Sequence, residues 1–220
     1  MSIQGILFDL DGTLADTLPL CIQSFQNTVY HFTGERPAGS AIVSLFGISE
    51  EGMLVKLLPG HPIAETLAVY LAEYERLHDL CPRPFTGLDR VFDLLAQKSI
   101  RAAIVTGKGP HSGAISLRVL GLDRWIDRVE YGFPDRSDKT GSMLKVLEQW
   151  NLPPDQAAYV GDTLYDMHAA REAGLLPLGA AWSQTSELRN GTKSGAAQSF
   201  HSIDAFLAWI QSLKPEAGAG

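Results

Sequence analysis

Ile6-Leu7-Phe8-Asp9-Leu10-Asp11-Gly12-Thr13 is the stretch on which the reading of this chain turns. Three large apolar residues form a short strand of the kind buried on both faces. The run ends in two carboxylates one residue apart, just before a glycine turn. Strand alternation sends residues i and i+2 to the same side, so Asp9 and Asp11 share a face until Gly12 re-aims the backbone. Two like charges this close are costly unless a cation neutralises them or one keeps its proton. A strand end built this way points to chemistry.

A second acidic strand end lies about 150 residues on. Ala157-Ala158-Tyr159-Val160 reads as another buried strand and runs into Gly161-Asp162-Thr163-Leu164-Tyr165-Asp166, ahead of a helical pattern from Met167 to Ala173. Asp162 and Asp166 share a helix face if the helix starts near Thr163; taken alone, Asp162 reads as its N-cap. Two acidic strand ends in one parallel sheet meet at one edge, where such folds bind ligands. Ala102-Ala103-Ile104-Val105 is a third apolar strand, ending in Thr106-Gly107, a hydroxyl and a backbone N–H suited to a phosphate oxygen. Lys139 lies in the polar loop Asp135–Gly141, before a helical pattern from Ser142 to Trp150. The order of these four pieces carries more weight than Thr106 or Lys139 alone.

Those residues resemble the four motifs of the haloacid-dehalogenase (HAD)-like hydrolase superfamily, in its phosphoglycolate-phosphatase-like branch. The similarity runs to about Leu213. It implies Asp9 as nucleophile, Asp11 as general acid/base, Thr106 and Lys139 as catalytic phosphate holders with Gly107 beside them in substrate binding, and Asp162 as a metal ligand. It also implies Mg²⁺, held by the Asp9 carboxylate and the Asp11 backbone carbonyl as well, with Asp166 in an outer shell or as an occasional direct ligand. The chemistry suits these residue types: a carboxylate can attack phosphorus to give an aspartyl-phosphate. A second carboxyl can protonate the leaving oxygen and then deprotonate water. Mg²⁺ prefers hard oxygen ligands. Asp11 argues against the superfamily's dehalogenases, which lack an acid there because a halide needs no proton. The branch commonly places its lysine in Lys-Pro-x-Pro. Here the stretch is Ser137-Asp138-Lys139-Thr140-Gly141, which leaves the loop freer and puts Asp138 within reach of the lysine. Lys108 and Lys145 are the alternative lysines.

Between the first strand and the rest, the pattern is helical: Asp16 to Phe32, Ile42 to Phe46, Glu50 to Leu58 and Ile63 to Leu80, ending in the proline-rich Pro82-Arg83-Pro84-Phe85. From Gly87 the order is helix, strand, helix, strand, helix, the signature of a parallel sheet with covering helices. The expected fold is therefore α/β, a Rossmann-like parallel sheet core with helices on both faces and a small all-helical cap inserted after the first strand. Its core would span 1–15 and 85–214, the cap 16–84, and a flexible tail 215–220. The turn Phe46-Gly47 is the expected point of cap contact with a substrate.

Composition narrows the rest. The chain has 220 residues, 45% hydrophobic and 20% charged, with a net charge of −7. That acidity disfavours nucleic acid. Apolar runs fall well short of the ~18 residues needed to span a membrane, and no basic leader opens the chain. Cys21 and Cys81 have no metal spacing, which suggests a reduced, cytoplasmic protein. Gly107-Lys108-Gly109 through Gly113 misses the dinucleotide-loop spacing, and the six histidines form no metal pair. The expected partner is a small phosphorylated metabolite, with the chain a monomer or homodimer. The expected function is a Mg²⁺-dependent phosphatase acting through an aspartyl-phosphate on a phosphoglycolate-like monoester. A sugar-phosphate phosphomutase and a non-catalytic phosphorylatable or ligand-binding module remain the alternatives.

Overall fold

A computed structural model describes residues 2–190 and 195–213. The expected tail at 215–220 and the last core residue, Lys214, lie outside the described residues. The strands are β1 (Gly5–Phe8), β2 (Arg101–Val105), β3 (Arg128–Glu130), β4 (Ala157–Gly161), β5 (Leu176–Ala180) and β6 (Gln198–Phe200). They pair in parallel in the order β3-β2-β1-β4-β5-β6. The first strand of the sequence therefore sits at the centre of the sheet, flanked by β2 and β4.

Strand alternation divides the core in two. Ile6 and Phe8 face one cluster, where Phe8 meets Phe92 of α5 (Leu88–Gln97) at 5.4 Å between ring centroids and Phe206 of α9 (Ile203–Ser212) at 6.2 Å. Leu7 faces the other, with Met143, Val146 and Leu147 of α7 (Lys139–Trp150) and Ala169 and Ala170 of α8 (Leu164–Glu172). Covering helices on both faces explain why β1 and β4 are apolar along their whole length. Each such large side chain, fully buried, contributes about 1.5–3 kcal/mol.

More strands form than the helix–strand pattern after Gly87 suggests. β3 and β6 are only three residues long, and β5 carries Pro177, which reads as a breaker. Pro177 is buried in the sheet, and its carbonyl accepts from the Ala197 N–H. α7 also begins at Lys139, earlier than the pattern from Ser142, because Asp138 is its N-cap and accepts from the Gly141 N–H at 2.9 Å.

Between β1 and α5 come α1 (Leu18–Thr33), α2 (Gly39–Val43), α3 (Glu50–Leu57) and α4 (Ile63–Leu77), then a 3₁₀ turn at His78–Leu80. The two connections to this segment touch each other: the Phe85 N–H donates to the Leu14 carbonyl at 2.9 Å. On its inner side α4 meets α6 (Pro110–Leu120), with Tyr74 Oη 2.8 Å and His78 Nε2 3.2 Å from Ser116 Oγ. α3 lies against the loop after β3, where the Ser49 N–H donates to the Phe133 carbonyl at 2.9 Å. Among the described residues no helix is long and apolar enough to cross a membrane.

Candidate active site

Register places the chemistry. Phe8 is level with Ile104 on one side and with Val160 on the other. Asp9, one residue past β1, thus stands beside the ends of β2 and β4, which lead into Thr106 and Asp162. The Asp9 N–H still donates to the Val160 carbonyl at 2.9 Å, so its backbone is held by the sheet. Gly12 turns the chain away with φ at 79° and passes so close to Asp162 that a Cβ there would collide with that carboxylate.

Asp9, Asp162 and Asp166 are buried, and each offers a carboxylate oxygen within 4.8 Å of the others. Lys139 sits among them, 2.8 Å from Asp9 Oδ2 and 2.6 Å from Asp166 Oδ1. The other Asp9 oxygen accepts the Leu10 N–H at 2.8 Å. Asp162 Oδ1 accepts from Thr13 Oγ1 at 3.1 Å. Asp166 is more fully engaged. Its Oδ2 takes the Thr163 N–H and hydroxyl at 3.1 and 2.6 Å, while Tyr159 Oη lies 3.4 Å from Oδ1. Thr163, not Asp162, is the N-cap of α8, and Asp166 closes the reciprocal pair at N3.

Electrostatics records an excess of negative charge. Burial pushes Asp9 up to about 6, with Lys139 pulling it down and the Asp166 and Asp11 charges pushing it up. Asp162 is raised well above the usual carboxylate range by burial, then by Asp166 and Asp9. Burial alone would lower Lys139, but Asp166 and Asp9 hold it well above its ordinary value. One ammonium among three buried carboxylates leaves room for a cation, and hard oxygen donors suit a small divalent one. Asp162 is the least engaged of the three, with a hydrogen bond from Thr13 on one oxygen, whereas protein groups already meet both oxygens of Asp9 and of Asp166.

Thr106 is buried, and its Oγ1 accepts the Lys108 N–H at 3.3 Å. Thr106, Gly107, Lys139 and Gly47 line a cavity of about 10 Å³, roughly the space of one water and no more. Gly47 of the Phe46-Gly47 turn lies against Gly107 at this cavity. Asp138 does not pair with Lys139; it caps α7, and its neighbour reaches Asp9 and Asp166 instead. Lys145 turns outward to Glu130 at 2.7 Å. Lys108 is buried beside Asp11, away from the Asp9 nucleus.

Several contacting residues give no signal in the sequence. Thr17 donates to Asp11 Oδ1 at 2.5 Å, and Glu50 accepts from the Gly109 N–H at 2.6 Å and from the Ser112 hydroxyl. An acid opening a helix, as Glu50 does, reads as an ordinary partner of the helix dipole. Only the fold shows that it crosses to another element.

The family of haloacid dehalogenase-like hydrolases matches residues 6–179. A putative pyrophosphatase, PpaX of Caldanaerobacter subterraneus subsp. tengcongensis, is 30% identical over 186 residues, covering 83% of this chain and 84% of that protein. Among solved structures, CbbY from Rhodobacter sphaeroides in complex with phosphate superposes with a TM-score of 0.74 at 20% identity, over 91% of this chain and 95% of that one. A putative phosphoglycolate phosphatase from Lactobacillus plantarum gives 0.75 at 20% identity, over 94% and 99%. At that identity the two structures speak for the fold.

Proposed function

Because the chain belongs to the haloacid dehalogenase-like hydrolase family, we propose that it is a Mg²⁺-dependent phosphatase of a small phosphorylated metabolite, working through an aspartyl-phosphate on Asp9. The observation that carries this reading is Asp9 itself: a buried carboxylate at the centre of the sheet edge, with Lys139 at 2.8 Å and Asp162 beside it. An Asp9 oxygen forms a bond to phosphorus as the bond to the leaving oxygen breaks, and Asp11 delivers a proton to that oxygen. In the second half Asp11 takes a proton from water, the water oxygen bonds to phosphorus, and the Asp9–phosphorus bond breaks. Lys139 and Thr106 hold the phosphoryl oxygens and offset their charge. Bound Mg²⁺, held by Asp9, Asp162 and the Asp11 carbonyl, would neutralise charge on the transferring group.

Residues 16–84 act in this reading as a cap on a core of 1–15 and 85–214. In this reading the cap lifts for substrate entry and reseats to exclude water. Phosphoglycolate is the substrate favoured by the sequence resemblance, and pyrophosphate is the second candidate because the curated relative at 30% identity is named for it.

The test is phosphate release from a panel holding phosphoglycolate, pyrophosphate, sugar phosphates and p-nitrophenyl phosphate, with and without Mg²⁺. Asp9→Asn should lower turnover by ~10⁴ or more while the protein stays folded, as expected for a nucleophile acting within a unit. Substantial hydrolysis by folded Asp9→Asn would remove the assignment.

A further inference from the structure

Lys108 has a position that phosphate binding does not explain. Its side chain is 2% exposed, and Nζ lies 3.4 Å from Asp11 Oδ1, 3.4 Å from Glu50 Oε1 and 3.4 Å from Cys21 Sγ. The same ammonium sits 4.4 Å from the centre of the Tyr74 ring. Its charge is therefore already shared by two carboxylates and an aromatic face, while the nucleophile's own lysine is Lys139.

The origin of these neighbours matters. Cys21 is on α1, Glu50 on α3 and Tyr74 on α4, all in the helical segment after β1. Asp11 belongs to the sheet edge, and Lys108 to the loop after β2. Glu50 is further anchored to that loop by the Gly109 N–H and the Ser112 hydroxyl. Asp11, besides Lys108, is held by Thr17 Oγ1 at 2.5 Å and lies 3.8 Å from Cys21 Sγ. A buried ammonium needs its partners, and three of the four come only when the segment is seated.

We propose that Lys108 is a positioning residue: with Glu50 it ties the seating of the helical segment to the placement of Asp11 for proton transfer. This rests on the phosphatase reading above, in which Asp11 is the proton donor. Seating brings Glu50, Tyr74 and Cys21 around the ammonium and fixes it against Asp11. Lifting the segment leaves Lys108 with Asp11 alone, in contact with water. The carboxyl would then be aligned only when the site is closed.

Leaving-group dependence separates this role from a structural one. p-Nitrophenolate departs without a proton, whereas the alkoxide of 2-phosphoglycolate needs one. The kcat/KM of each ester reports the steps through leaving-group departure, so it leaves out later hydrolysis of the phosphoenzyme. In the full-length protein with saturating Mg²⁺, Lys108→Met should lose ~10-fold or more on the alkyl ester beyond its loss on p-nitrophenyl phosphate. That is a fraction of the ~10²–10⁴ a positioned acid supplies. Lys108→Arg should recover part of that ratio. Lys108→Gln, which keeps length and polarity, gives the same reading if Lys108→Met does not fold. Equal losses on the two esters, or no loss on either, would overturn the role of Lys108 while leaving the phosphatase reading in place. Absence of Asp9-dependent hydrolysis in the unmodified protein would overturn both.

Discussion

Both carboxylate oxygens of Asp166 are spoken for, Oδ1 by Lys139 and Oδ2 by the backbone and hydroxyl of Thr163. Asp162 spends only one hydrogen bond, from Thr13. The two acids of one short motif thus differ: Asp162 keeps an oxygen for the cation of the proposed reading, whereas Asp166 holds Lys139 and the start of α8. Asp162→Ala should raise the Mg²⁺ concentration needed for activity strongly. Asp166→Ala should raise it by the ~10–100-fold typical of residues that orient ligands. It should also lower stability by about 1 kcal/mol or more, since the Thr163 N–H loses its partner in the capping pair and Lys139 loses a buried carboxylate. Magnesium titrations of activity and thermal melts of both variants check this; equal, large shifts in metal requirement would make Asp166 a direct ligand.

At the scale of elements, the contact that matters is α3 against the loop after β3. Gly52 passes so close to the Pro134 carbonyl that any Cβ would overlap it. Gly52→Val should therefore push α3 outward and pull Glu50 away from Lys108 and Gly109. Misplacement of about 1 Å can cost ~10²-fold in rate, so kcat/KM should fall by roughly that factor. The Mg²⁺ requirement should hold, because Asp9 and Asp162 lie on the sheet edge and not on α3. Unchanged kcat/KM in Gly52→Val would mean that seating of α3 is not needed for turnover.

For the whole molecule, the acidic nucleus links stability to pH and metal. Asp9 titrates at about 6 in the folded, metal-free protein, above its ordinary value of 3.8. The folded state therefore holds this proton more tightly than the unfolded state. The stability it contributes is full below the unfolded value and is lost as pH rises through about 6. Asp162 shifts in the same direction. Without metal, the melting temperature should fall as pH rises across that window. Added Mg²⁺ should restore it, and by more at pH 7.5 than at pH 5. At 100 times its dissociation constant, a ligand of the folded state adds about 2.7 kcal/mol, or roughly 5–10 °C in a chain of this size. An Mg²⁺ effect that is the same at both pH values would refute this linkage.

The α/β class, the run of helices after the first strand and the acidic strand ends can be read from the residues alone. Asp9, Asp11 and Asp162 stand at the ends of short, wholly apolar runs, and such runs are a local signal that survives without neighbours. Gly12 reads as a turn, Thr106 as the residue after a strand and Lys139 as part of a polar loop, and only their order links them. Short β3 and β6 and the proline-bearing β5 were not legible, because their strand character comes from pairing with a neighbour and not from their own residues. Tertiary structure alone decided which lysine meets which acid. Lys108 and Lys139 are both flanked by polar and glycine residues, yet one reaches Asp11 and Glu50 and the other Asp9 and Asp166. That partition depends on parallel register setting the ends of β1, β2 and β4 level, and on α3 and α4 lying over one side of that edge. Contacts between residues twenty-seven or more positions apart leave no periodicity in a sequence, so only the packed chain fixes them.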